Sequence, residues 1–133
     1  MIEIGAVNYL AVLAAAIVAM VVGMVWHSPA MFLKRWMKLT GVTDKEMKKS
    51  MGLPAAVGFV TLLISAFVIA HFVSGMVLTD ALMVGLLFWL GLLFPKGASQ
   101  VIWEKRNMEL FYINAGHDLV IMLLMSATIV LVG

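Results

Sequence analysis

Cysteine is absent from this chain, which excludes disulfides, thiolate metal sites and thiol chemistry and leaves the redox compartment open. Charge is scarce as well. Asp, Glu, Lys and Arg make up 12% of the 133 residues, about half the share of an ordinary soluble domain. That composition excludes a soluble globule, a disordered chain and a charged coiled coil. There is no phosphate-cradling glycine loop ending in Lys-Ser or Lys-Thr, no His-Glu-x-x-His, no Gly-x-Ser-x-Gly and no extended basic face. Nucleotide-driven work and nucleic-acid binding therefore lack their usual residues, and no cofactor is implied.

What the chain has in abundance is apolar surface, with 64% hydrophobic residues and a mean hydropathy of +1.09. A hydrocarbon core about 30 Å thick needs about 20 helical residues, and four stretches meet that length: residues 4–26, 53–73, 81–101 and 110–132. The expected fold is all-α, a single transmembrane domain of four spanning helices over residues 1–133. All nine Lys and Arg fall in the connection between the first two spans or around the end of the third. Cations in short loops resist translocation, so both termini are expected outside and both basic loops in the cytoplasm. The first span is too long, and too lacking in a basic start, for a cleaved secretory signal.

The connection at residues 28–52 contains Met31-Phe32-Leu33-Lys34-Arg35-Trp36-Met37-Lys38-Leu39, a mixture of cations and aromatics suited to a short amphipathic helix at the headgroup boundary. Its expected partners are the lipid bilayer and anionic lipid headgroups. Thr43-Asp44-Lys45-Glu46 reads as a capping box opening a second short helix. Inside the first span, Ala11, Ala15, Ala19 and Gly23 recur every four residues. Such a small-residue ridge lets another helix backbone approach closely, either within the chain or across a homo-oligomer.

Polar groups in a span are costly, about 2.5–3.5 kcal/mol for a central charge on insertion scales. Asn114, His117 and Asp118 are spaced i, i+3, i+4 on the fourth span and are expected to look inward together. Lys96, with Ser99 and Gln100 near it, lies close to the cytoplasmic end of the third span, and His27 ends the first. The expected site therefore gathers Asp118, His117, Asn114, Lys96, Gln100 and His27. One reading is a channel or transporter-like path, and an alternative is a structural or partner-binding subunit in which Lys96 pairs with Asp118. A third is a metal-dependent or redox enzyme using His27, His117 and Asp118, a ligand set that no spacing fixes. No catalytic residue is identified. Twelve methionines read as core filler. Pro95, between Gly91 and Gly97, predicts a kink or a break in the third span.

Asn8-Tyr9-Leu10-Ala11-Val12-Leu13, Gly23-Met-Val-Trp26-His27-Ser28-Pro29 and Trp36-Met37, with Phe88-Trp89-Leu90-Gly91, Trp103-Glu104-Lys105-Arg106 and Tyr112-Ile113-Asn114-Ala115-Gly116, form an ordered set of motifs over nearly the whole chain. In these the sequence resembles the small prokaryotic membrane proteins known as domain of unknown function seventeen-sixty-one. The resemblance implies a four-span protein of the prokaryotic cell (inner) membrane and carries over no activity, substrate or catalytic residue. It departs at His27 and His117, where the family tends to have tyrosine.

Overall fold

The computed structural model describes residues 3–49 and 52–133. The side chains of Lys48 and Lys49, and residues 50 and 51, lie outside the described residues. Helix α1 (Tyr9–Trp26) begins five residues after the expected Ile4. Gly5 turns the chain with φ +89°, and the Asn8 side chain then accepts from the amides of Leu10 and Ala11 at 3.0 and 3.2 Å, so the helix starts where its first free N–H groups find an acceptor.

The basic connection forms α2 (Leu33–Thr40), closed by Gly41 at φ +78°, and α3 (Asp44–Lys49). The Glu46 amide donates to the Thr43 hydroxyl at 3.1 Å, one half of the capping box. The next span, α4, runs Gly52–Val73.

The third span is one continuous rod, Leu78–Glu104, composed of α5 (Leu78–Phe88), a π-helical turn (Trp89–Leu93) and α6 (Phe94–Glu104). Pro95 does not break it. Proline has no N–H to give the carbonyl one turn back, and its ring crowds that carbonyl. The chain widens just before it, with the Phe94 amide reaching back five residues to the Trp89 carbonyl. Lys105, at φ 53°, ends the rod. Asn107 then caps α7 (Met108–Val132), accepting from the amides of Glu109 and Leu110.

Helix α7 is the hub, packed by α1, α4 and α5. The core between them is built largely from small side chains: Ala11, Ala15, Ala19, Ala66, Ala70 and Ala81, with Val73, Ile121, Met125 and Ile129 filling the remainder. Lipid provides no hydrophobic drive for helices to associate, so dispersion between closely approaching backbones must supply the attraction. Gly85 shows how close that approach is, since a Cβ there would sit 2.8 Å from both the Met122 carbonyl oxygen and the Ser126 hydroxyl. Ser126, fully buried, donates to the Met122 carbonyl and so leaves no hydroxyl unsatisfied.

The outward surface is apolar, with Leu10, Val60, Leu87 and Leu131 among the exposed residues. Four helices are long and apolar enough to cross a bilayer, and the chain is an all-α, multi-pass membrane protein.

The ridge residues Ala11, Ala15 and Ala19 are wholly buried against the chain's own helices, so that face is consumed within the molecule. Both basic connections lie at one end of the bundle, where Arg35 of α2 forms a two-pronged ion pair with Glu109 of α7. The Glu109 carboxylate, by hydrogen bonding first and charge second, raises the Arg35 guanidinium above its ordinary pKa.

Candidate polar cleft

At that same end, α6, α7 and the turn between them enclose a half-open cleft of about 270 Å³. Helix periodicity aligns its polar groups. Lys96 and Gln100 are four apart on α6, Asn114 and Asp118 are four apart on α7, and residues four apart share a helix face. Arg106 and Asn107 complete the mouth, while Leu93, Val101, Leu110 and Phe111 supply apolar wall. The helices are held in register by rings. Gly97 leaves room for Phe111, whose ring a Cβ would approach to 3.3 Å, and Phe111 packs edge-on against Phe94 at 5.3 Å between centroids. Trp89, carried by the π turn, donates its indole N–H to the Ala115 carbonyl at 2.8 Å.

The cleft holds both charge signs without joining them. Lys96 and Asp118 both line it, and among the described residues no ion pair links the two. The Lys96 partner that the structural reading requires is therefore not Asp118. Asp118 lies 3.8 Å from Nδ1 of His117, with 45% of its side chain exposed. Arg106 is engaged at the rim by Glu104 at 2.8 Å.

The two histidines expected in the same site do not line the cleft. His117 turns toward α1, where its ring sits 5.3 Å from that of His27 and 6.0 Å from that of Trp26. Its Nε2 is 3.4 Å from where a Gly23 Cβ would stand, and that nitrogen is buried without a hydrogen-bond partner. His27 uses Nδ1 on the Gly23 carbonyl at 2.9 Å, and the Trp26 indole donates to the Ile113 carbonyl at 3.2 Å. The six expected site residues thus divide into a cleft group (Lys96, Gln100, Asn114, Asp118) and a histidine pair on another face of α7. Consecutive residues on an α-helix point about 100° apart, and α7 has a different neighbour in each direction. Among the described residues no three His, Cys, Asp or Glu side chains are grouped to hold a metal ion, so His27, His117 and Asp118 do not assemble as one ligand set.

Arg106 and Asn107 were not among the expected site residues. Asn107 carried a legible signal as an N-cap before an apolar run, whereas the place of Arg106 depends on the turn geometry. Beyond Asp118 the interior passes into the close-packed alanine core. A second cavity, of about 290 Å³, lies at the opposite end and is lined by Asn8, Ser74, Gly75 and Ile129 among others.

These features define a four-span membrane protein with one polar cleft at its basic end. The sequence model of the family described as "Protein of unknown function (DUF1761)" matches residues 10–130, and the chain belongs to that family. Neither the curated proteins nor the solved structures give a significant match.

Proposed function

We propose that the protein is a small transporter-like membrane protein that takes up a polar solute through the cleft between α6 and α7. The observation that carries this reading is the presence of Lys96 and Asp118 in one accessible cleft, unpaired with each other. A purely structural ion pair would close that gap, because charges held within the membrane depth gain most from direct contact. The packed core beyond Asp118 favours a carrier that alternates access over a standing pore. In this reading the basic end faces the cytoplasm and both termini face outward, as cation placement favours, and the membrane is the prokaryotic inner membrane that the family resemblance implies.

The test is flux in reconstituted liposomes of protons, cations and small organic solutes. Wild-type protein is expected to conduct one class, and Asp118→Ala to abolish it. Equal leak from the two proteins sinks the reading, and loss of stability without any flux returns the protein to a structural role. Orientation is tested separately, since a chain without cysteine accepts single reporters. A membrane-impermeant maleimide should label Met76→Cys on intact cells and Lys45→Cys only after lysis.

A further inference from the structure

The cleft is polar at its mouth and along its facing stripes, yet it lies between two helices of membrane-spanning length and keeps an apolar wall of Leu93, Val101 and Leu110. By helix rise, Lys96 lies about 12 Å below Glu104 and Asp118 about 15 Å below Met108, so the two charges sit at nearly one depth. We propose that the ligand of the cleft is the headgroup of an amine-bearing glycerophospholipid, lying across the cleft with its phosphate at Lys96 and its ammonium at Asp118. This inference rests on the cleft being the binding site of the preceding reading, and it names the substrate class.

Charge pattern sets the requirement. Lys96 offers only donors and suits phosphate oxygens. Asp118 offers only acceptors and suits a group with N–H to give. A purely anionic headgroup satisfies Lys96 and leaves Asp118 facing negative charge. A quaternary ammonium headgroup brings the right charges but no N–H for the carboxylate or for the amide oxygens of Asn114 and Gln100. A primary ammonium supplies three.

Size and surroundings select a lipid over a free zwitterion. A space of about 270 Å³ lies just below the range of about 300–1,000 Å³ that encloses drug-sized ligands, so it holds a headgroup and not two acyl chains. The chains have somewhere to go, because Leu93 both lines the cleft and is 36% exposed, and Leu92 beside it is 64% exposed. Trp103 and Tyr112, exposed on the same two helices, suit the headgroup boundary where aromatic belts sit.

The experiment is native mass spectrometry of the full chain in mild detergent, titrated with phosphatidylethanolamine, phosphatidylcholine and phosphatidylglycerol of identical chains, and with soluble O-phosphoethanolamine. Phosphatidylethanolamine is expected to bind about tenfold more tightly than the other two lipids, and the soluble headgroup far more weakly. Asp118→Asn should bring phosphatidylethanolamine to the level of phosphatidylcholine, and Lys96→Gln should weaken all three lipids. Asn114→Ala, which leaves both charges in place, should lower the preference in part and serves if Asp118→Asn does not fold.

Equal binding of the three lipids, an unchanged preference in folded Asp118→Asn, or equal binding of O-phosphoethanolamine overturns the proposal. Selective lipid binding with no flux would remove the transport reading and leave this site standing. Flux that needs Asp118, with no lipid preference, would do the reverse.

Discussion

The backbone amide of Gly5 donates to Nε2 of His71 at 2.9 Å, tying the segment before α1 to the end of α4 across 66 positions of sequence. An amide N–H can only donate, so Nε2 is the unprotonated nitrogen and the ring proton is on Nδ1, which donates to the Phe67 carbonyl at 2.7 Å. Both nitrogens are therefore used, and the neutral ring is held in one tautomer.

His71→Phe keeps an aromatic ring against Phe67, 4.7 Å away between centroids, but removes the acceptor. The Gly5 amide is part-buried, and leaving it unpaired costs about 1 kcal/mol. Hydrogen exchange at residues 3–8 should accelerate while the four spans stay protected. Unchanged exchange there would show that this bond does not hold the segment.

Gly85→Ala and Gly58→Ala should part in sign. The first puts a methyl group 2.8 Å from the Met122 carbonyl and the Ser126 hydroxyl, forcing α5 from α7 at about 1–3 kcal/mol. The second meets nothing within 4 Å and gains about 0.5–1 kcal/mol from the lower entropy cost of alanine in a helix. Thermal unfolding in detergent should show Gly85→Ala melting lower and Gly58→Ala no lower than wild type.

Arg35 and Glu109 are nearly half exposed, at 47% and 45% of their side chains, so the pair is screened by salt and adds little to global stability. Its work is local, fixing α2 to the start of α7. Arg35→Ala should leave the melting temperature unchanged and raise amide exchange in residues 33–40. The double exchange Arg35→Glu with Glu109→Arg should restore protection at low salt. Failure of that rescue would assign the docking to Trp36 and its apolar neighbours.

Pro95→Ala returns an amide donor to the third span. The π turn at Trp89–Leu93 should then tighten toward α-helical register and turn Trp89 off the Ala115 carbonyl. In protein labelled with 5-fluorotryptophan, the Trp89 fluorine resonance should move and that of Trp103, 82% exposed, should not. A stationary Trp89 resonance would mean that the indole bond, and not the proline, sets the turn.

Much of the architecture was legible because an uncharged helical run of bilayer length has few other stable places to be. The errors are local. Ile4 looked like the start of the first span by hydropathy, yet the left-handed turn at Gly5 and the cap at Asn8 delay it to Tyr9. Pro95 read as a kink or a break, and the helix runs through it unbroken, with a π turn just ahead of the proline. The candidate site was legible residue by residue but not as a grouping. Asn114 and Asp118 line one cleft with Lys96 and Gln100, while the ring of His117, adjacent in sequence to Asp118, packs against that of His27.

The sequence alone determined that there are four membrane-crossing helices, since their length and apolarity are properties of each segment taken singly. It also determined which polar side chains would be expensive to hide. Only the tertiary structure decided which way each of them points. Rotation of a helix in lipid is set by the closest backbone approach, here Gly85 against Met122 and the alanines of α1 and α4 in the core. Once those contacts turned α7, one step of about 100° set the half-buried imidazole of His117 against α1 and left the carboxylate of Asp118 in the cleft.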